Sequence, residues 1–172
     1  MNCLSLEIEK YWKLKRQKTK IQELLAASDE SADACLFLDL RSSMIKDSGL
    51  YELDELIPGV PDALESLSKN FRLKLLTARK NFEVTKQQLK KFLIDEYFEE
   101  IICCGQTNKE EVLLSSKNKT VLIGDTEHDI ISAKKAGCLS VAVTSGIREA
   151  EVLKNYKPDY VFDSLVDFSF FV

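Results

Sequence analysis

Residues 121–147, VLIGDTEHDIISAKKAGCLSVAVTSGI, constrain the fold of this chain more than any other segment. The segment starts with a short apolar run that predicts a buried strand, passes through an acidic loop into a helical pattern, and reaches a second apolar run after a glycine turn. A strand, a helix and a strand in this order form a parallel pair when the helix crosses one face of the sheet. We therefore predict a parallel α/β sheet with Asp125 and Asp129 at the carboxyl end of a strand, where such sheets bind ligands.

Short apolar runs alternate with amphipathic helical patterns along most of the chain. The runs predict strands at 35–40, 72–77, 99–104, 120–125, 140–145 and 159–162. Helical patterns occupy 61–70, 81–93, 108–116, 128–136 and 148–156, and most of them begin with a capping or acidic residue. This alternation is typical of a Rossmann-like α/β fold in three layers, in which helices cover both faces of a central parallel sheet.

The first 30 residues differ from the rest, and we predict that they form an amphipathic helix ahead of a core domain at 31–172. Apolar residues recur there at roughly helical spacing, and the first 27 residues carry six basic side chains against three acidic ones. Such a helix can pack on the domain with its lysines in solvent, pair with a second copy of the chain to form a homodimer, or dock to an acidic partner. These three interpretations stay open at the level of the sequence.

The composition excludes several classes of function. The 172 residues are 45% apolar and 30% charged, which is ordinary for a globular domain. A formal net charge of −4 gives no general attraction to nucleic acid, and no apolar run is long enough to cross a membrane. The first residues lack the order of a secretory signal, so we expect a cytoplasmic protein. Five cysteines without metal-ligand spacing fit reduced core residues in that compartment.

Polar side chains stand where four of the predicted strands end or where the next helix begins. Asp39 ends the first strand, Thr77 ends the second, Lys109 opens the helix after the third, and Asp125 and Asp129 follow the fourth. A carboxylate nucleophile, a hydroxyl and an ammonium group that hold a phosphoryl group, and a carboxylate pair that binds a hard cation such as Mg²⁺ are the parts of a phosphoryl-transfer site. The sequence therefore predicts such a site at one edge of the sheet.

Each of these residues also has a plainer interpretation. Asp125 could cap the helix while Asp129 is solvated, Thr77 could be an ordinary β-branched strand residue, and Lys109 could be a solvated helix lysine. His128, the one histidine, is interpreted as an exposed residue of the first helical turn rather than as a catalytic base.

From about residue 35 to residue 163 the sequence resembles the haloacid dehalogenase (HAD) superfamily of hydrolases, most of whose members are Mg²⁺-dependent phosphatases that form a phosphoaspartate. The resemblance is carried by GDTEHDIISAKKAGCLSVAVTSGI, by the apolar run that ends at Thr77, by Asn108 and Lys109, and by the run LFLDL that contains Asp39. It implies a HAD fold and a phosphomonoester as substrate.

The resemblance also implies roles for individual residues of this chain. It makes Asp39 the nucleophile, and it gives the phosphate to Thr77, Ala78 and Lys109. The implied Mg²⁺ ligands are Asp39, the backbone carbonyl of Arg41 and Asp125, with Asp129 supporting the ion or its waters.

The first motif departs from the family pattern at Arg41, which stands where the family has a second Asp that moves the proton. An arginine keeps its proton at neutral pH, and loss of a general acid or base typically costs about 10²–10⁴ in rate. Arg41 can neutralise the acidic cluster in an inactive pocket, grip an anionic substrate while another group moves the proton, or turn outward and leave a slow metal site. We expect a slow or impaired hydrolase, with an inactive binding or regulatory protein of the same fold as the alternative.

The spacing of the motifs leaves no room for a sizeable cap domain, which the family usually inserts after the first motif or the third strand. Only 37 residues separate Asp39 from Thr77, and the interval from Thr77 to Asp125 is also compact. Without a cap, the site suits a large phosphorylated substrate, or another subunit closes the site.

A phosphorylated receiver domain is an alternative, because it also has Asp, Thr and Lys at strand ends. It has no acidic loop like GDTEHD after the lysine.

Overall fold

The computed structural model describes residues 8–20, 23, 54–105, 109–115 and 119–172. Its helices and strands are α1 (Ile8–Arg16), α2 (Val60–Ser68), β1 (Leu73–Thr77), α3 (Phe82–Lys91), a 3₁₀ turn (Asp95–Tyr97), β2 (Phe98–Cys103), α4 (Lys109–Leu114), β3 (Val121–Gly124), α5 (Glu127–Lys135), β4 (Leu139–Val143), α6 (Ala150–Lys154), β5 (Tyr160–Phe162) and α7 (Leu165–Phe171). The order of elements is the predicted alternation of strands and helices.

All strand pairs in the described part of the chain are parallel. β1 pairs with β2, with Thr77 opposite Cys103 at the carboxyl end, and β3, β4 and β5 form a second group in that order. Every strand is followed by a helix, as a parallel connection requires. The sequence LSVAV of β4 is a continuous apolar run broken by one serine, and Ser140, Val141 and Ala142 are all buried. A strand buried on both faces is the expected centre of such a sheet.

Helices cover both faces of the strands. Val141 and Ala142 are neighbours on β4, so their side chains point to opposite faces. Val141 packs in one buried cluster with Leu67 of α2 and Phe168 of α7, whereas Ala142 packs in another with residues of α5 and α6. The chain therefore has three layers, and the predicted α/β fold is confirmed.

The two groups of strands share one core. The cluster around Leu67 includes Leu73 of β1 and Ile123 of β3, one from each group. Within the described residues, β1 pairs with β2 alone and β3 pairs with β4 alone. The predicted strand at 35–40 lies outside the described residues, and so does the segment 41–53.

Several element boundaries differ from the sequence prediction. No element is predicted from the sequence after residue 162, but α7 begins at Leu165, where the Ser164 side chain accepts a hydrogen bond from the Asp167 nitrogen as an N-cap. Helix α6 begins at Ala150 rather than at 148. Helix α1 ends at Arg16, and Lys18 is left-handed (φ 62°), so this helix is shorter than the predicted amphipathic segment. No helix among the described residues has the length and apolar character to span a membrane.

Candidate active site

The turn between β3 and α5 carries the two acidic residues that the sequence places after a strand. Asp125 follows Gly124, the last residue of β3, and Thr126 is the N-cap of α5. Asp129 lies in the first turn of α5, where its Oδ2 atom accepts hydrogen bonds from the Thr126 backbone nitrogen at 3.1 Å and from the Thr126 hydroxyl at 2.7 Å. This cap explains why α5 begins here, and it fixes the direction of the Asp129 carboxylate.

Lys109 meets Asp129 where α4 passes α5. The Lys109 Nζ atom lies 2.5 Å from Asp129 Oδ1. The Asp129 side chain is 5% exposed and the Lys109 side chain 23% exposed, so the carboxylate is shielded from water while part of the lysine side chain remains accessible. The plainer interpretation, with Asp129 solvated and Lys109 a surface lysine, is wrong.

Asp125 is fixed by the loop that follows β4. Its Oδ2 atom accepts a hydrogen bond from the Ile147 backbone nitrogen at 2.7 Å. Gly146 lies so close that a Cβ atom there would be 2.1 Å from Asp125 Oδ2, and a Cβ atom on Gly124 would be 2.3 Å from Asp129 Cγ. Both glycines are therefore needed for the close approach of a carboxylate rather than for a special backbone angle.

Thr77 and Ala78 lie at the carboxyl end of β1, in a different neighbourhood. The Thr77 hydroxyl oxygen accepts a hydrogen bond from the Arg79 nitrogen at 3.2 Å, and its carbonyl accepts one from the Cys104 nitrogen at 2.9 Å. A cavity of about 350 Å³ opens beside Thr77, with an apolar floor that includes Leu75. Within the described residues, no hydrogen bond joins Thr77 to Lys109 or to the two carboxylates of the acidic loop.

The described residues supply only part of the predicted metal site. They contain no group of three or more acidic, histidine or cysteine side chains arranged to hold one ion. Asp125 and Asp129 offer hard carboxylate oxygens, the ligand type that Mg²⁺ prefers, and each is held in place against a glycine. Asp39 and Arg41 lie outside the described residues. The donor set fits Mg²⁺ in its chemistry and needs further ligands for its completion.

A buried ion pair that the sequence pattern does not predict lies beside the acidic loop. Glu127 is 1% exposed, and its carboxylate accepts hydrogen bonds from Arg148 Nε at 2.7 Å and from Arg148 Nη2 at 3.2 Å. Lys18 Nζ lies 3.3 Å from the same carboxylate. Burial by itself would raise the pKa of Glu127, but the hydrogen bonds and positive charge of Arg148, with a contribution from Lys18, lower that pKa to about 2.

No sequence signal links Glu127 to its partners. Arg148 stands 21 residues further on and Lys18 belongs to the N-terminal segment, so only the fold brings these charges together. The neighbouring His128 side chain is 80% exposed, which confirms that it is an exposed first-turn residue.

Comparisons with known proteins agree with this architecture. A sequence profile of the HAD-hydrolase-like family matches residues 92–168. A protein of Caldanaerobacter subterraneus named putative pyrophosphatase PpaX is 31% identical over 117 residues, which cover 62% of this chain and 53% of that protein. A phosphoglycolate phosphatase of Vibrio parahaemolyticus is 27% identical over 126 residues, which cover 67% of this chain and 55% of the relative. The chain thus spans about half the length of the curated relatives it matches.

A solved structure extends the likeness to nearly the whole chain. A haloacid dehalogenase-like family hydrolase from Streptococcus pneumoniae superposes with a TM-score of 0.69 over 98% of this chain and 90% of that one, at 21% identity. At this identity the likeness shows the fold. The matched profile and the relatives show that the chain is similar to the HAD-like hydrolases, and the solved structure shows that it shares their fold.

Replacing Glu127 with glutamine removes the charge that Arg148 and Lys18 face, and we expect the free energy of unfolding at neutral pH to fall by about 3 kcal/mol. The pKa of Glu127 in the folded protein, about 2, lies below its ordinary value of 4.5. The native protein therefore holds this stabilisation above pH 4.5 and loses it as the pH falls toward 2. The difference in the free energy of unfolding between the native protein and Glu127→Gln should be largest at neutral pH and should become smaller in acid.

Urea unfolding of both proteins across this pH range measures that difference. Glu151→Gln is the matched control, because it removes the same charge from an exposed pair with Lys154 that contributes little. A Glu127→Gln variant as stable as Glu151→Gln at neutral pH would contradict the buried ion pair.

Proposed function

We propose that this chain is a slow Mg²⁺-dependent phosphohydrolase that acts on phosphomonoesters through a covalent intermediate on Asp39. The observation that carries the proposal is the pairing of Lys109 with Asp129 directly beside Asp125. A fixed ammonium group next to two fixed carboxylates provides both the cation that a phosphoryl group needs and oxygen ligands for a metal ion. The relatives named for the hydrolysis of pyrophosphate and phosphoglycolate support a phosphorylated substrate.

Lys109 is the residue best placed to hold a phosphoryl oxygen. Its pairing with Asp129 orients the ammonium group, and the exposed fraction of its side chain leaves a side for a substrate anion. The Thr77 hydroxyl is the proposed second donor, and the bend at Ala78 offers backbone groups at the same strand end. Held between these groups, the phosphoryl group would be oriented for attack from the side opposite its leaving oxygen.

Asp39 can reach this site if the predicted strand at 35–40 pairs between β1 and β3. Each of those strands pairs on one side within the described residues, and both contribute to the core around Leu67. A strand in that place would end with Asp39 between Thr77 and Asp125. Because neighbouring strands in such a sheet are parallel, their carboxyl ends lie at one edge of the sheet, where ligands bind.

The proposed ligands of Mg²⁺ are the carboxylates of Asp39 and Asp125 and the Arg41 carbonyl, with Asp129 behind them. When bound, the ion neutralises charge on the phosphoryl oxygens. The Asp39 carboxylate then forms a bond to phosphorus as the bond to the leaving oxygen breaks. Because Arg41 cannot give a proton, the leaving oxygen takes its proton from water, which makes both this step and the later hydrolysis slow.

The open alternative is an inactive binding or regulatory protein of the same fold, with Arg41 as the cation that neutralises the acidic cluster. A capless site also favours a large phosphorylated substrate over a small one. We expect the protein to work in the cytoplasm.

The first prediction of this proposal concerns Asp39 and Arg41. Phosphate release from an aryl phosphate, pyrophosphate and phosphoglycolate is measured with Mg²⁺ for the native protein, Asp39→Asn and Arg41→Asp. We expect low activity in the native protein, none in Asp39→Asn, and a gain of about 10²-fold or more in Arg41→Asp, the usual contribution of a general acid or base.

Two results would contradict this assignment. Native activity that survives Asp39→Asn would place the nucleophile elsewhere. No activity in the native protein or in Arg41→Asp, with both folded, would favour the binding protein.

A second prediction concerns Lys109. In the Arg41→Asp background, Lys109→Met should lower kcat/KM by about 10²-fold or more, because a partly buried cation that stabilises phosphoryl charge is lost. Lys119→Met is the matched control, since Lys119 is exposed and precedes the amino end of β3, away from Asp125. Equal rates for the two lysine variants would remove Lys109 from the site.

A further inference from the structure

The loop after β4 touches the candidate site on one side and the N-terminal helix on the other. We define it as the 146–149 loop, Gly146 to Glu149. On the side of the site, Gly146 packs against Asp125, and the Ile147 nitrogen donates a hydrogen bond to Asp125 Oδ2 at 2.7 Å. The position of Asp125 therefore depends on the path of this loop.

The next two residues of the loop bind the carboxyl end of α1. Arg148 Nη1 donates a hydrogen bond to the Lys15 carbonyl at 2.5 Å, and the Glu149 nitrogen donates one to the Arg16 carbonyl at 3.3 Å. The last carbonyls of a helix have no partner within the helix, so these bonds act as its cap. The positive guanidinium group also suits the negative end of the helix dipole.

Arg148 holds Glu127 with its remaining nitrogens. Its guanidinium group thus bridges a buried carboxylate of α5 and a carbonyl of α1, and its side chain is 16% exposed. The planar group offers donors in several fixed directions, which a lysine cannot reproduce. The Arg148 side chain therefore hydrogen bonds to both helices.

Lys18, just after α1, forms a second link between the N-terminal segment and the rest of the domain. Its Nζ atom donates a hydrogen bond to the Tyr156 hydroxyl at 2.6 Å and pairs with Glu127 at 3.3 Å. The hydrogen bond with Tyr156, together with the charge of Glu127, raises the pKa of Lys18. The middle of α1 is more open, since the Trp12 side chain is exposed. The described contacts of α1 with the rest of the chain are therefore largely polar and lie at the carboxyl end of the helix.

We propose that Arg148 is a positioning residue that couples the seating of α1 on the domain to the position of Asp125. When α1 is seated, Arg148 is fixed between Lys15 and Glu127, and the Ile147 nitrogen points at Asp125. When α1 leaves, the 146–149 loop loses its outer contacts and Asp125 loses its fixed partner. The consequence for Mg²⁺ binding rests on the proposed function, whereas the coupling itself does not.

The coupling can be measured without a metal. Amide hydrogen exchange at Ile147 reports its bond to Asp125, and the fluorescence anisotropy of Trp12, the one tryptophan of the chain, reports the seating of α1. In Arg148→Met we expect lower Trp12 anisotropy and about tenfold faster exchange at Ile147, the change that follows from a lost hydrogen bond. Lys13→Met, on the exposed side of α1, is the control and should match the native protein in both measurements.

Two further variants separate positioning from a general loss of structure. Lys18→Met loosens α1 but leaves Arg148 paired with Glu127, so it should shift both readouts in the same direction by less, even if Arg148→Met folds poorly. Arg148→Lys keeps a positive charge beside Glu127 but lacks the second set of donors, so it should release α1 while preserving most of the thermal stability. If these variants lower the Trp12 anisotropy but leave the rate of amide exchange at Ile147 unchanged, the coupling is overturned.

Mg²⁺ titration by calorimetry then tests the consequence for the site. We expect about tenfold weaker Mg²⁺ binding in Arg148→Lys, with kcat at saturating Mg²⁺ largely retained, as is usual when a residue behind a metal ligand is changed. If Arg148→Lys binds Mg²⁺ as tightly as the native protein does, the proposed effect of Arg148 on metal binding is overturned. Absence of Mg²⁺ binding in the native protein would contradict the proposed function, and the exchange and anisotropy results would still decide the coupling.

Discussion

The Asp129 carboxylate joins the three elements on which the candidate site depends. It caps α5 through Thr126, it packs against Gly124 at the end of β3, and it pairs with Lys109 at the start of α4. A buried carboxylate must have such partners, because an uncompensated charge in the interior costs several kcal/mol. The same contacts that stabilise the fold therefore fix a lysine ammonium group and an acidic loop at one end of the sheet.

A second charged cluster, formed by Glu127, Arg148 and Lys18, lies next to the pair of Asp129 and Lys109. Glu127 lies between Asp125 and Asp129 in the sequence and points toward Arg148 and Lys18. The three acidic residues of this turn therefore have two different roles. Asp125 and Asp129 belong to the candidate site, whereas Glu127 anchors the N-terminal segment. The stability of the turn and the seating of α1 thus depend on the same ion pair.

Much of this architecture could be predicted from the sequence, because its signals are local. The apolar runs and helical periods give five of the predicted strands to within one or two residues, and the acidic loop after β3 falls where expected. The pairing of Glu127 with Arg148 could not be predicted, since charges distant in the sequence carry no mark of their contact. Helix α6 starts at Ala150 because Glu149 has extended backbone (ψ 152°) and serves as the N-cap, while the Arg148 side chain binds the carboxyl end of α1.

Arg41 is the residue at which the shared fold does not decide the function. The chain has the fold of the HAD superfamily, and the sequence resemblance places Arg41, a permanent cation, where the family has its proton carrier. The described residues contain the ammonium group and two of the carboxylates of the proposed phosphoryl-transfer site, while the proposed nucleophile lies outside them. The proposed function therefore requires that Asp39 lie beside Asp125 and Lys109.

The most direct test is a crystal structure of the intact chain with Mg²⁺ and a phosphate mimic such as tungstate. We expect the anion between the Lys109 ammonium group and the Thr77 hydroxyl, with the metal ion bound by Asp125 and Asp39 and a strand at 35–40 paired between β1 and β3. An anion bound elsewhere while Lys109 remains closed onto Asp129, or an Asp39 carboxylate remote from Asp125, would contradict this expectation.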